Sequence, residues 1–164
     1  MLRLHPRVLA PAAAVVLLAV SLAGCAGSGR TVTITHGAVT PVGVIPGPNN
    51  GAVGTVRLFH APTRLEGGGA GTLEATMTTT AVDAPTAGTE IRVTMLNFTF
   101  GNGTDQLIIQ GSATYSSAGS TISVSETAVR PVVGGSGAYA GARGSAESTH
   151  LPDGTWKHVF RLLP

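Results

Sequence analysis

Apolar and polar residues alternate along most of the chain after residue 54, and this period of two is typical of β-strands with one buried face. In Thr72–Val82, for example, Leu73, Ala75, Met77 and Thr79 fall on the same face. No segment of this region repeats its apolar residues at helical spacing. The pattern predicts strands at Thr31–His36, Thr55–His60, Thr72–Val82, Glu90–Phe100, Asp105–Tyr115, Thr121–Arg130, Gly144–Leu151 and Thr155–Leu163.

Short segments rich in Gly, Pro, Asn and Ser connect several of these strands, among them Glu66–Gly71, Asp83–Thr89 and Gly101–Gly103. Connections this short place consecutive strands antiparallel. A long antiparallel meander has two unpaired edges, and closing it into a barrel pairs them with each other. The pattern therefore predicts an all-β fold closed as an antiparallel β-barrel, with a two-sheet sandwich as the alternative.

The last predicted hairpin turns at Leu151–Thr155, whose sequence is Leu-Pro-Asp-Gly-Thr. A three-residue loop with Gly154 in the left-handed conformation suits this sequence and places His150 opposite Trp156. A two-residue loop would instead place His150 opposite Lys157. We favour the three-residue loop, because Pro152 fits position i+1 of its type I turn and Gly154 fits the positive φ. The predicted interior face of this hairpin then holds His150, Trp156, His158 and Phe160.

The first 25 residues have the character of an export signal. Arg3 and Arg7 precede the apolar run Val8–Val20, and Leu22–Cys25 then reads Leu-Ala-Gly-Cys. This ending resembles the bacterial lipobox, in which the Cys is diacylated and becomes the new N-terminus. The alternatives are an uncleaved membrane helix and a plain export signal. The apolar run is shorter than the roughly 20 residues that a spanning helix needs, and Pro11 interrupts its start.

We therefore predict that residues 1–24 are a signal peptide and that lipid on Cys25 anchors the protein at the extracytoplasmic face of the cell membrane. Residues 25–53 form a tether and an irregular segment with a first strand, and residues 54–164 form the barrel domain. Cys25 is the only cysteine, so its lipidation leaves no thiol for a disulfide or a metal. No metal site and no cofactor are predicted.

The charge of the chain gives no indication of a nucleic-acid partner. The formal net charge of +2 comes from Arg3 and Arg7, because eight basic and eight acidic residues remain from residue 25 onward. Aromatic residues make up only 4% of the chain, which argues against a surface for stacking bases. Hydrophobic residues make up 43%, which argues against disorder.

The segment Val132–Gly144 reads V-V-G-G-S-G-A-Y-A-G-A-R-G. It resembles the V-V-G-G-[ST]-G-x-[FY]-x-x-A-R-G signature of the allene oxide cyclase-like and dirigent-like barrels. Phe98–Gly103 and Leu151–Trp156 resemble the bacterial branch of that superfamily, and the resemblance covers roughly Gly54 to Leu163. It implies an eight-stranded antiparallel barrel with an apolar cavity. In the plant enzymes that cavity directs a reactive intermediate to one stereoisomer, and many plant members are trimers.

The signature glycines are predicted to be structural, since they permit positive φ and close backbone approach where the chain reverses. The structural signature residues are Gly134, Gly135, Gly137, Tyr139 and Gly144. Arg143 has two interpretations: it orients a polar or anionic ligand head at the cavity mouth, or it donates hydrogen bonds to turn carbonyls. We favour the second.

Two departures from the family limit what the resemblance implies about catalysis. Ala138 stands where some dirigent proteins carry an acid, and the catalytic Glu and Asn positions of the cyclases have no counterpart that aligns with Thr31–Val56. The catalytic residues therefore remain unassigned, and enzyme activity is left open.

Two functions follow as hypotheses. In the first, the barrel of a membrane-anchored lipoprotein binds a small apolar ligand, with cyclase-like or isomerase-like activity as an extension. In the second, a packed barrel serves as a non-catalytic structural or interaction module, which the absence of an acid–base pair at recognisable spacing supports. Plant relatives imply a homotrimer, although no strand pattern indicates a trimer face. The candidate cavity residues are Phe98, Phe100, Arg143, His150, Trp156, His158 and Phe160.

Overall fold

The computed structural model describes residues 29–44, 52–101, 103–119 and 121–164. The predicted signal peptide and Cys25 lie outside these ranges, so lipidation stays a prediction. Within the described ranges, no helix has the length and apolar character needed to cross a membrane. The strands are β1 (Arg30–His36), β2 (Val42–Val44), β3 (Val56–Leu65), β4 (Ala70–Val82), β5 (Thr89–Phe100), β6 (Asp105–Ser116), β7 (Thr127–Ser136), β8 (Gly144–His150) and β9 (Trp156–Leu162).

The sheet closes on itself as an eight-stranded antiparallel barrel, as predicted. Strands β3 to β9 pair in sequence order, and β1 pairs with both β9 and β3 to complete the ring. Closure gives every barrel strand a partner on each side, which removes the unpaired edges of an open meander. Because β1 is a member of the ring, the barrel begins upstream of the predicted domain boundary at residue 54.

Strands β1 and β2 lie one after the other along the same edge of β3. His36 pairs with Thr63, and Val42 pairs with Leu58, so residues 37–41 loop out between the two short strands. Pro62 lies just beyond the last β1 pair, where β3 lacks a strand partner on that edge. Such a position tolerates a residue without an N–H group. This explains why β3 continues past His60, where the predicted strand ended.

The apolar core fills the barrel from one end to beyond its middle. Every second residue of each strand points inward, as the pleat requires. Fully burying an Ile, Leu or Phe side chain contributes about 1.5–3 kcal/mol each to folding. The core side chains without any exposed surface include Ile34, Leu73, Phe98, Leu107, Ile109 and Phe160.

Strand β7 differs from its prediction, and the glycine signature is the reason. The strand spans Thr127–Ser136 rather than Thr121–Arg130, so Gly134 and Gly135 are extended and the predicted turn at these two glycines is wrong. Gly135 is required for close packing instead. A Cβ there would overlap the main-chain oxygen of Tyr139 and lie 2.6 Å from that of Gln106.

The chain reverses after the strand, in the 3₁₀ turn Gly137–Tyr139. Gly137 and Gly144 both have positive φ, of 57° and 143° respectively, and a Cβ on Gly144 would overlap the main-chain oxygen of Arg161. Tyr139 is buried, and its ring centroid lies 5.7 Å from that of Phe100. The signature therefore closes one end of the barrel.

The last hairpin has the predicted three-residue loop. The Leu151 main-chain N–H donates to the Thr155 oxygen at 2.8 Å, and Gly154 has a φ of 82°. His150 pairs with Trp156 in the β8–β9 register, which confirms the predicted pairing. Consequently every second residue from Trp156 to Leu162 faces the interior, whereas Lys157 and Arg161 face solvent.

Candidate functional site

A cavity lies inside the barrel at the end where β9 begins, beneath the connection between β6 and β7. Its volume is about 30 Å³, which is room for one or two water molecules. Trp156 and His158 of β9 form part of the wall, and Thr94 and Leu96 of β5 form another part. The other lining residues are His36, Val39, Phe59, Leu73, Met77, Tyr115, Thr121, Ile122, Arg130 and Ser148.

Four flat rings lie in nearly parallel planes at this end of the barrel. The His150 and Trp156 ring centroids are 4.5 Å apart with an interplanar angle of 6°. His36 follows at 6.0 Å from Trp156 and 5.1 Å from His158. His36 pairs with Trp156 across β1 and β9, so the strand register itself places these rings side by side. The wall they form suits a flat apolar ligand.

The two interior histidines are poor proton acceptors. Burial lowers the pKa of His158 well below 6.5, and the charges of His36 and Arg130 act in the same direction. Burial also lowers the pKa of His36, although the hydrogen bond from its Nδ1 to the Gly37 oxygen, at 2.7 Å, opposes that shift. Both rings are therefore neutral near pH 7. The His158 Nδ1 lies 2.9 Å from the Ser148 hydroxyl oxygen.

Residues 117–119 and 121–126 of the β6–β7 connection, hereafter the covering loop, close the cavity. The Ile122 side chain is buried and packs with Met77, Tyr115 and Trp156. His150 fastens the loop in three ways: its Nδ1 donates to the Ile122 oxygen at 3.0 Å, its N–H donates to the Glu126 oxygen at 3.1 Å, and its own oxygen accepts from the Ser125 N–H at 2.7 Å. The covering loop is thus an ordered part of the closed barrel.

In the part of the chain that the structure describes, four charged side chains are buried inside the barrel. Glu90 is the only carboxylate among them, and its Oε2 accepts from the Arg92 Nε at 2.9 Å and lies 3.7 Å from the Arg57 Nη2. Thr79 links Arg57 to Glu90, since its hydroxyl accepts a hydrogen bond from Arg57 at 2.9 Å and donates one to Glu90 at 3.0 Å. Arg92 also donates to the Gly119 oxygen of the covering loop at 2.8 Å. This cluster joins three strands to the loop.

Arg130 is the fourth buried charge and lines the cavity. Only 3% of its surface is exposed, and its Nη2 donates to the Tyr115 hydroxyl oxygen at 2.6 Å. The Tyr115 and Thr94 hydroxyl oxygens are 3.0 Å apart, which extends the chain of hydrogen bonds. Among the described residues, no carboxylate lies within ion-pair distance of Arg130. Its Nε and the His158 Nε2 both lack a hydrogen-bond partner, although both are buried.

This charged cluster is not among the site residues predicted from the sequence. Its signal in the sequence was the alternation, because Glu90 and Arg92 stand on the same face of their strand as Phe98, a predicted cavity residue. Charged residues are normally expected on the solvent face, and that expectation concealed the pattern.

The predicted site residues separate into three groups. Trp156 and His158 line the cavity, and His150 stacks on Trp156 beside it. Phe98 lies beneath the cavity, edge-on to His158 at 4.8 Å and to Phe160 at 5.3 Å.

The third group lies at the opposite end of the barrel. Phe100 packs against Tyr139 there. Arg143 is exposed at the start of β8, the far end of that strand from His150, and its Nη1 donates to the Ala142 oxygen at 2.7 Å. Arg143 therefore does not lie at the rim of this cavity. Among the described residues, no group of three or more His, Cys, Asp or Glu side chains is placed to hold a metal ion.

Solved structures share this architecture. A pyocyanin demethylase superposes with a TM-score of 0.56 at 16% sequence identity, covering 82% of this chain and 98% of that chain. A pterocarpan synthase dirigent protein superposes with a TM-score of 0.52 at 18% identity, covering 82% of this chain and 84% of that chain. No protein-family model and no curated protein matches the sequence. The described chain therefore has the fold of the allene oxide cyclase-like and dirigent-like barrels, as the resemblance predicted.

Proposed function

We propose that the mature protein is an exported lipoprotein, held at the extracytoplasmic face of the cell membrane through Cys25, whose barrel binds a small apolar ligand at the end closed by the covering loop. The observation that carries the binding proposal is the ring wall of His36, Trp156 and His158 beside a cavity that a loop, rather than a strand, closes. Ligand sites of this kind are largely apolar with a few polar groups.

The names of the similar structures fit this proposal. One is named for pyocyanin and the other for pterocarpan, which are small organic molecules. The proposal concerns binding, and the cyclase-like or isomerase-like activity implied by the resemblance stays an extension of it without assigned catalytic residues.

The cavity volume favours a second function, a packed barrel that acts as a structural or interaction module. Its volume of about 30 Å³ is far below the roughly 300–1,000 Å³ of drug-sized ligand sites. Binding therefore requires the covering loop to move and Ile122 to leave the space that it occupies. The two functions differ in whether this movement occurs under native conditions.

A fluorescence titration with phenylnaphthylamine, a neutral apolar dye, tests the choice. We expect the dye to brighten on binding and to accept excitation energy from Trp156, which lines the cavity. Ile122→Ala enlarges the space beneath the loop and should tighten binding. Val129→Ala, which shortens an exposed side chain of β7, should leave it unchanged. If neither the wild type nor Ile122→Ala binds the dye while both remain folded, the packed-barrel function is favoured.

A further inference from the structure

The charges inside the barrel do not balance. Over the described ranges, three arginines and one glutamate are buried, namely Arg57, Arg92, Arg130 and Glu90. The single carboxylate is shared by Arg57 and Arg92, through contacts of 3.7 and 2.9 Å to the same oxygen. Arg130 contacts the neutral hydroxyl of Tyr115 instead. A buried cation without a counter-charge is costly, because the interior solvates it poorly.

The neighbours of Arg130 at the cavity supply no negative charge. His158 and His36 are held neutral by burial, and the positive charge of Arg130 itself disfavours a proton on His158. Arg130 Nε has no hydrogen-bond partner although it is buried, and the same holds for His158 Nε2. Packed cores rarely leave such groups unpaired. Both nitrogens belong to residues that line one small cavity, so a group bound there could supply the acceptors that the protein does not.

The hydrogen bond between His158 and Ser148 is compatible with either tautomer of the neutral ring, and in one of them the second ring nitrogen is a donor. When the Ser148 hydroxyl donates to Nδ1, across the 2.9 Å that separates the two atoms, the proton of the neutral ring resides on Nε2. Two residues that line the cavity, Arg130 and His158, then each hold a buried N–H donor without an acceptor, and Arg130 carries a full positive charge. A carboxylate matches this pair, since it has two acceptor oxygens and a negative charge.

We infer that the ligand of this cavity is an apolar carboxylate, whose carboxylate group is held by Arg130 with His158 as the second donor, and whose body lies against Trp156 and Leu96. This inference rests on the proposed binding function and specifies its ligand class. A cation would be repelled by Arg130, and a neutral apolar molecule would leave the buried charge uncompensated.

The test compares naphthoate with naphthalenemethanol, which has the same ring system and a hydroxymethyl group in place of the carboxylate. Binding is measured by calorimetry on the purified protein near pH 7.5. We expect the wild type to bind naphthoate at least about tenfold more tightly, as charge-assisted hydrogen bonds require. Arg130→Met replaces the cation with an apolar chain of similar length and should remove this preference. Arg161→Met, a change at an exposed arginine of β9, should preserve it.

The outcomes separate the inference from the function on which it rests. Equal affinity of the wild type for the two probes would leave the binding function intact and overturn the inference. Unchanged naphthoate affinity in Arg130→Met would overturn it as well. If neither probe binds and phenylnaphthylamine also fails to bind, the proposed function itself is wrong. The comparison between probes on the wild type needs no variant, so it stands even if Arg130→Met does not fold.

Discussion

His150 and Trp156 face each other across the last hairpin, with ring centroids 4.5 Å apart and planes 6° from parallel. The two residues pair directly in the β8–β9 register, so the turn at Leu151–Thr155 fixes their stack. The same His150 ring donates to the main-chain oxygen of Ile122. The hairpin therefore determines both the wall of the cavity and the position of the loop that covers it.

Trp156 reports on this end of the barrel, because it is the only tryptophan in the chain. Its side chain is buried beneath Ile122. We expect an emission maximum at shorter wavelength than that of an indole in water, and little quenching by iodide. Ile122→Ala should increase the quenching, whereas Val129→Ala should not. Free quenching of the wild-type protein would contradict the closed position of the covering loop.

Substitutions at two glycines of the signature should show whether a glycine is needed there for close packing or for its backbone conformation. Gly135→Ala introduces a Cβ that meets two main-chain oxygens, and we expect it to lower the free energy of unfolding by about 1–3 kcal/mol. Gly134→Ala is the matched control, since a Cβ there meets nothing within 4 Å. It should change stability by less than about 0.5 kcal/mol. Denaturant unfolding measures both, and equal effects would show that the packing argument is wrong.

The buried Glu90 should be far more important for stability than an exposed carboxylate in an ion pair. Glu90→Gln leaves Arg57 and Arg92 without a counter-charge, and we expect a loss of about 3–5 kcal/mol. Glu147→Gln removes the exposed partner of Arg161 and should cost less than about 1 kcal/mol. Chemical denaturation gives both values. A small effect of Glu90→Gln would mean that the two arginines find other partners.

Stability should fall as the pH is lowered below about 6.5, the pKa of a histidine in an unfolded chain. The pKa of His158 is lowered in the folded protein, so the unfolded chain takes up the proton first as the pH falls. His36 acts in the same direction. The stability is thus fully present above the unfolded pKa and is lost below it. Between about pH 7.5 and 5.5, the denaturant midpoint of unfolding should decrease less in His158→Gln than in the wild type. An identical decrease would exclude His158 as its source.

Lipidation of Cys25 is tested in cells with an alkyne-bearing fatty acid. The wild-type protein should incorporate the label and sediment with membranes, and Cys25→Ser should do neither, because a serine cannot form the thioether. Equal labelling of the two proteins would contradict the anchor. A change in membrane association without a change in labelling would indicate another means of attachment.

The sequence predicted most of the barrel because alternation records which residues face the interior. It placed Trp156, His158 and Phe160 on one inward face and fixed the hairpin through Pro152 and Gly154. It misplaced β7, because Ile122 and Val124 alternate with polar residues as a strand would. Local alternation cannot distinguish a strand from a loop whose apolar residue packs into the end of the same barrel.

The candidate site was only partly predictable. Alternation identifies the inward face of a single strand. The group that Arg130 forms with residues of other strands, namely Tyr115, Thr94 and His158, comes together only when the barrel closes. That closure joins residues far apart in sequence, and the charges that it brings together form one cluster only in three dimensions. Arg143 was a candidate because it is the only charged residue in a distinctive motif. Its exposed guanidinium instead donates to a main-chain oxygen of the adjacent turn.

The direction of β1 gives the proposed anchor a geometric consequence. Arg30 pairs with Leu162 at the end of the barrel that holds the glycine signature, whereas His36 pairs with Trp156 at the cavity end. Five residue steps lead from Cys25 to Arg30, and they span at most about 18 Å even when fully extended. A lipid on Cys25 would thus hold the signature end against the bilayer and point the cavity outward. The protein would then take its ligand from the aqueous side, and not from within the lipid leaflet.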